Sequence, residues 1–161
     1  MKELLDKISS YNLFNYLFPG VLFIVIINKF TRYTVPFDNM IVGAFICYFI
    51  GLVTSRFGSL IIEPILRKTR FISFTDYSDF VSASKKDSKI NLFSEINNMY
   101  RTLSSLLILT LILKLYEFLE KKISGLSEWS HYILLILLLI MFLFSYQKQT
   151  KYITKRIKAN K

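Results

Sequence analysis

Four long apolar stretches, roughly residues 11–27, 40–54, 102–119 and 130–146, alternate with short polar segments along this chain. A run of about 20 mostly apolar residues crosses the hydrocarbon core of a bilayer as a helix. The pattern therefore predicts an all-α fold, an integral membrane four-helix bundle. The second stretch alone is about 22 Å long at the helical rise. Its helix is expected to run past Arg56, whose side chain would snorkel to the headgroups. Glu63-Pro64 is then expected to bend or end it.

Around the spans, residues 2–8 (KELLDKI) put Leu4, Leu5 and Ile8 on one helical face and the charges on the other, which predicts a short interfacial helix. Pro19 predicts a kink in the first span, because it has no N–H and clashes with the carbonyl four residues back. Residues 76–84 read as a short amphipathic helix, and residues 85–89 (KKDSK) as a polar break. From about Asn91, a plausible N-cap, apolar residues at three-to-four spacing predict a helix that runs from about Leu92 to Lys121 and projects several turns beyond the span. Residues 122–128 are short enough to force an antiparallel hairpin, with Gly125 in the turn and Trp129 as an interfacial anchor. Between Ile133 and Phe144 the fourth span has no small or charged residue, as expected of a lipid-facing helix. The tail, residues 147–161, interleaves Tyr152, Ile153 and Ile157 with six cations and reads as an amphipathic helix on the inner leaflet.

Charge sets the orientation. Sixteen of the 21 Lys and Arg fall before the first span, between the second and third, or after the fourth. The other five are Lys29, Arg32, Lys114, Lys121 and Lys122. Clustered Lys and Arg mark cytoplasmic ends, so both termini are expected inside, in the inner (plasma) membrane of a cell. The net charge of +10 then belongs to the membrane face. Anionic lipid headgroups are the expected partner, at about 1 kcal/mol per juxtamembrane cation, and direct contact with nucleic acid is not expected. The mean hydropathy of +0.41 and 16% aromatic content are outside the range of soluble domains. The layout divides into residues 1–66 (interfacial helix and two spans), 67–101 (a cytoplasmic helical segment too small for its own core), 102–146 (two spans) and 147–161 (a basic tail).

Candidate chemistry is sparse. The single cysteine excludes an internal disulfide. No paired-cysteine metal motif, Gly-rich phosphate loop or nucleophile elbow occurs. No enzyme, metal or cofactor is expected, and His131 beside Trp129 and Tyr132 reads as an interface residue. In the second span Cys47, Gly51, Ser55 and Ser59 recur every four residues. Such small-residue stripes let helix backbones approach closely in lipid, either within one chain or between copies. Arg56, Glu63, Asn97 and Arg101 lie at the cytoplasmic mouth. A Glu63–Arg101 or Glu63–Arg56 pair would clamp the second helix to the third, or gate a pocket there. Asn12 and Asn15, three apart, either face other helices or sit among the headgroups. Lys114 and Glu117 form an i, i+3 pair in the outer leaflet, either snorkelling outward or serving an intramembrane function. Lys85, Lys86 and Lys89 offer a basic surface to lipid or to a soluble protein.

The segments YNLFNYLFPG, SRFGSLIIEPILRK and NNMYR resemble the small four-pass bacterial proteins that accompany antiphage defence systems, such as the membrane subunit of Kiwa-type systems or membrane accessories of some CRISPR loci. The resemblance covers the layout of the whole chain. It implies a membrane sensor or effector that forms a homo-oligomer and works with a soluble cytoplasmic partner, perturbing the membrane or recruiting that partner. A small homo-oligomeric ion channel or transporter, and a plain membrane scaffold, are the alternatives that the residues leave open.

Overall fold

The computed structural model describes residues 12–160. The expected interfacial helix at residues 2–8 lies outside them. Helices account for nearly all of the described chain, and no strand occurs among those residues. They are α1 (Leu13–Phe30), α2 (Met40–Lys68), α3 (Tyr77–Lys86), α4 (Lys89–Lys122) and α5 (Leu126–Ala159). All but α3 are long and apolar enough to cross a membrane.

Two of the three prolines, Pro19 and Pro64, sit inside continuous helices, and each follows one turn of π-helix, Leu13–Leu17 before Pro19 and Gly58–Ile62 before Pro64. A proline ring collides with the carbonyl four residues back. Widening the preceding turn to a five-residue step moves that carbonyl aside, so the chain stays helical. Pro64 therefore does not end α2, which continues to Lys68. It closes in a Schellman arrangement, with Arg70 N–H on the Arg67 carbonyl at 3.1 Å and Phe71 N–H on the Leu66 carbonyl at 2.9 Å. Arg70 takes the left-handed position, φ 60°, where glycine is usual.

Packing inverts the pattern of a water-soluble protein. Lipid is as apolar as leucine, so helices in it are held by close contact and polar pairing, not by burial of large side chains. The side chains least exposed are accordingly mostly small or polar: Asn15, Pro19, Thr54, Thr102 and Ser105, with Leu106 the one aliphatic. Thr54, Thr102 and Ser105 donate to carbonyls one turn back in their own helices, at 2.8, 2.9 and 2.7 Å. These three buried hydroxyls are thus satisfied within their own helices.

Close approach between α1 and α2 depends on two glycines. A Cβ on Gly51 would lie 1.8 Å from the Tyr16 carbonyl oxygen, and one on Gly20 would lie 1.7 Å from that of Cys47. Around them Phe23, Ile27 and Leu106 form the apolar core, packed by Leu22, Ile26, Ile50 and Leu109. Helices α1, α2 and α4 make this core. Helix α5 is peripheral, and Ser145 is its one buried residue. Its apolar face, Leu134 to Phe144, is largely exposed.

Two boundaries differ from those expected. Helix α4 starts at Lys89, and Asp87 Oδ1, not Asn91, accepts the first free N–H, that of Lys89, at 2.9 Å. The basic tail is no separate helix, because α5 runs through it to Ala159. At 34 residues each, α4 and α5 are about 51 Å long, some 20 Å more than a hydrocarbon core requires. Helix α3 packs against both projecting ends. Tyr77 meets Tyr152 edge-on at 4.9 Å, and Lys85 donates to Asn160 at 2.8 Å. The result is a short three-helix platform at the end where the cations collect.

Candidate functional site

The strongest polar constellation lies at that basic end. Glu63, in the last turns of α2, accepts from Arg101 Nη1 of α4 at 2.6 Å and from Lys148 Nζ of α5 at 3.4 Å. One carboxylate thus links three helices. Lys148 also donates to Ser59 Oγ at 2.7 Å and to the Ser59 carbonyl at 2.6 Å. The π turn explains why that carbonyl is free. Glu63 N–H reaches back five residues to the Gly58 carbonyl. The next five-residue step, from Ser59, ends on Pro64, which has no N–H to give. The ammonium of Lys148 replaces the missing donor.

Beside this hub a cleft of about 430 Å³ is lined by Ser59, Leu60, Glu63, Pro64, Arg67 and Lys148. Arg67 is exposed and stacks over the Phe74 ring at 5.4 Å. Gly58, one residue before Ser59, brings α2 against α4, since a Cβ there would meet Ser105 Oγ at 2.3 Å.

Of the residues expected at this mouth, the structure joins Glu63 to Arg101. Arg56 forms no ion pair among the described residues. Asn97 is exposed and stands outside the cluster. Lys148 and Ser59 complete it. Lys148 lies in the polar tail by sequence, 85 positions from Glu63, and only the straight continuation of α5 brings it back to α2.

The small-residue stripe packs within the chain. Cys47, Gly51 and Ser55 are buried, and Gly51 lies against α1. Ser59 turns to Lys148. Asn15 is buried in the π turn of α1, 1% exposed, with its Oδ1 unpartnered. Asn12, at the start of the same helix, is half-buried. A second, mostly apolar cavity of about 270 Å³ runs beside Asn15, between Phe14 and the α4 residues Leu92, Glu95, Ile96 and Met99. Lys85 is tied to Asn160, whereas Lys86 and Lys89 are exposed. His131 is exposed against the Tyr132 ring at 4.5 Å.

A second carboxylate hub, unread in the sequence, stands at the opposite end. The Glu120 side chain is 2% exposed and pairs with Arg32. It also accepts from Tyr33 Oη at 2.5 Å and from Ser130 Oγ at 2.7 Å, and Tyr116 Oη lies 2.7 Å from Ser130 Oγ. The loop after α1 is thereby fastened to the α4–α5 turn. Glu117, one turn before Glu120, pairs with Lys114 at 3.0 Å and Lys121 at 3.6 Å along its own helix. The one available signal was Glu120 itself, three residues past Glu117 and so on the same side of the helix.

Four apolar helices of spanning length fit the class of multi-pass α-helical membrane proteins. Compared with protein-family models, characterised proteins and solved structures, the chain matches none.

Proposed function

We propose that this chain is a membrane-embedded sensor or effector subunit of the bacterial inner membrane. Both termini and the basic platform face the cytoplasm, the four spans form a bundle, and the assembly is a homo-oligomer. Its working surface is the platform formed by α3 and the projecting ends of α4 and α5, which recruits a soluble cytoplasmic partner. One observation carries this reading: α4 and α5 pass from apolar span to charged platform without a break. A tilt or shift of the spans therefore reaches the platform as a rigid-body movement. The Glu63 hub sits where the two zones meet and couples α2 to both helices.

The sequence resemblance supplies a setting in antiphage defence. A pore has less support, because the buried hydroxyls of Thr54, Thr102 and Ser105 are turned onto their own helices and line no channel within one chain. The test is the mass of the complex extracted from native membranes in mild detergent, with co-eluting proteins identified. A stoichiometric soluble partner that is lost when Lys85, Lys86 and Lys89 are changed to Glu supports the reading. A homo-oligomer with no partner, conducting ions in a planar bilayer, contradicts it.

A further inference from the structure

We infer that the cleft between the last turns of α2 and the projecting part of α5 is a binding site for a phosphate group, carried by an anionic lipid headgroup or present as a free anion. The inference rests on the chain lying in a membrane, and not on partner recruitment.

Charge is the first support. Arg67, Arg101 and Lys148 meet at the cleft and its hub, with Glu63 the one carboxylate among them. The cations therefore exceed the local negative charge by two. Donor accounting is the second. Arg101 holds Glu63 Oε2 at 2.6 Å, so that oxygen is committed. Lys148 spends two of its three protons on Ser59, at 2.6 and 2.7 Å, while the third has only Glu63 Oε1 at 3.4 Å. That proton is under-used, and the Lys148 side chain is 41% exposed. Arg67, on the cleft wall, has its guanidinium face on Phe74 and its edge N–H groups without an ion-pair partner among the described residues. A phosphate oxygen between Arg67 and Lys148 would receive charge-assisted bonds from both.

The walls favour a lipid as the carrier. Leu60 and Pro64 line the cleft, and Ile61 and Ile65, on the same turns, are 45% and 54% exposed. An acyl chain would have apolar surface beneath a headgroup placed there. The pocket's volume, about 430 Å³, accommodates a phosphate and its glycerol.

The test uses the full chain purified in detergent and titrated with phosphatidylglycerol, phosphatidylcholine or inorganic phosphate, with retained ligand read by native mass spectrometry. Phosphatidylglycerol is expected to be retained over phosphatidylcholine. Arg67→Gln, at an exposed position that leaves the hub intact, is expected to weaken retention about tenfold, the effect of one charge-assisted bond. Lys155→Gln, which removes an equal charge from the exposed tail, is expected to leave retention unchanged. Inorganic phosphate that displaces the lipid identifies a free anion as a ligand of the same site. Phosphate that fails to displace it assigns the site to lipid. Equal retention by wild type and Arg67→Gln, or equal loss in Arg67→Gln and Lys155→Gln, overturns the inference.

Discussion

Replacing Glu63 by Gln removes one charge and little volume, and its effect follows from the geometry of the hub. Glu63 and Arg101 are 2.6 Å apart, with side chains 15% and 20% exposed. At an effective dielectric constant near 20 the bare attraction at that distance is about 6 kcal/mol. Desolvation of both ions offsets most of it. Hydrogen bonds to charged groups retain about 1.5–3 kcal/mol net. The variant also strands Arg101, whose Nε already lacks a partner in its buried position. The 3.4 Å contact from Lys148 adds less. The expected loss is about 2 kcal/mol, a fall in Tm of about 4–8 °C for a chain of this size. Thermal unfolding of the purified protein in detergent measures it. A cycle with Arg101→Gln then isolates the pair, with an expected coupling of about 1 kcal/mol or more. An unchanged Tm, or strictly additive single effects, would show that the contact does not fasten α2 to α4.

Three further outcomes follow from other positions. Gly51→Ala should cost about 3 kcal/mol or more, the top of the overpacking range, because its Cβ would sit 1.8 Å from backbone that cannot rotate away; monodisperse yield and Tm check it. Arg70→Gly should raise stability by about 1 kcal/mol, since glycine enters the left-handed position at φ 60° without a Cβ penalty; denaturant or thermal melts read the gain. Glu120→Gln should loosen residues 31–39, which Arg32 and Tyr33 hold to the α4–α5 turn. Hydrogen exchange in that loop should then accelerate while exchange in α2 does not, and unchanged loop protection would remove the hub from the explanation.

Span number and the projecting start of α4 were legible because both depend on local periodicity, and apolar runs of spanning length have few alternative structures. Two local conflicts were settled by longer-range geometry. Pro64 reads as a helix end, yet a π turn before it lets α2 continue, and no residue type in GSLII announces that turn. The cations of the tail read as a separate surface helix, yet α5 stays straight because Tyr152 and Asn160 dock on α3. That docking is tertiary, so the sequence around the tail carries no mark of it. The same cause hid half of the site. Glu63 and Arg101 stood out as charges at the edges of apolar runs, whereas Lys148 was one cation among several. Arg56 and Asn97 were plausible by position, but Arg56 makes no ion pair among the described residues and Asn97 is exposed. Glu120 escaped notice because its partners come from the loop after α1 and the start of α5, separated from it in sequence by up to 88 positions.

The most direct test of the proposed topology places single cysteines at the two ends of the molecule in a Cys47→Ala background. Lys86→Cys lies on the basic platform and Ser127→Cys at the α4–α5 turn, both at exposed positions. With the platform in the cytoplasm, a membrane-impermeant maleimide applied to intact cells labels Ser127→Cys alone, and Lys86→Cys reacts only after permeabilisation. Labelling of Lys86→Cys in intact cells, with Ser127→Cys protected, would place the basic platform outside and contradict cytoplasmic recruitment.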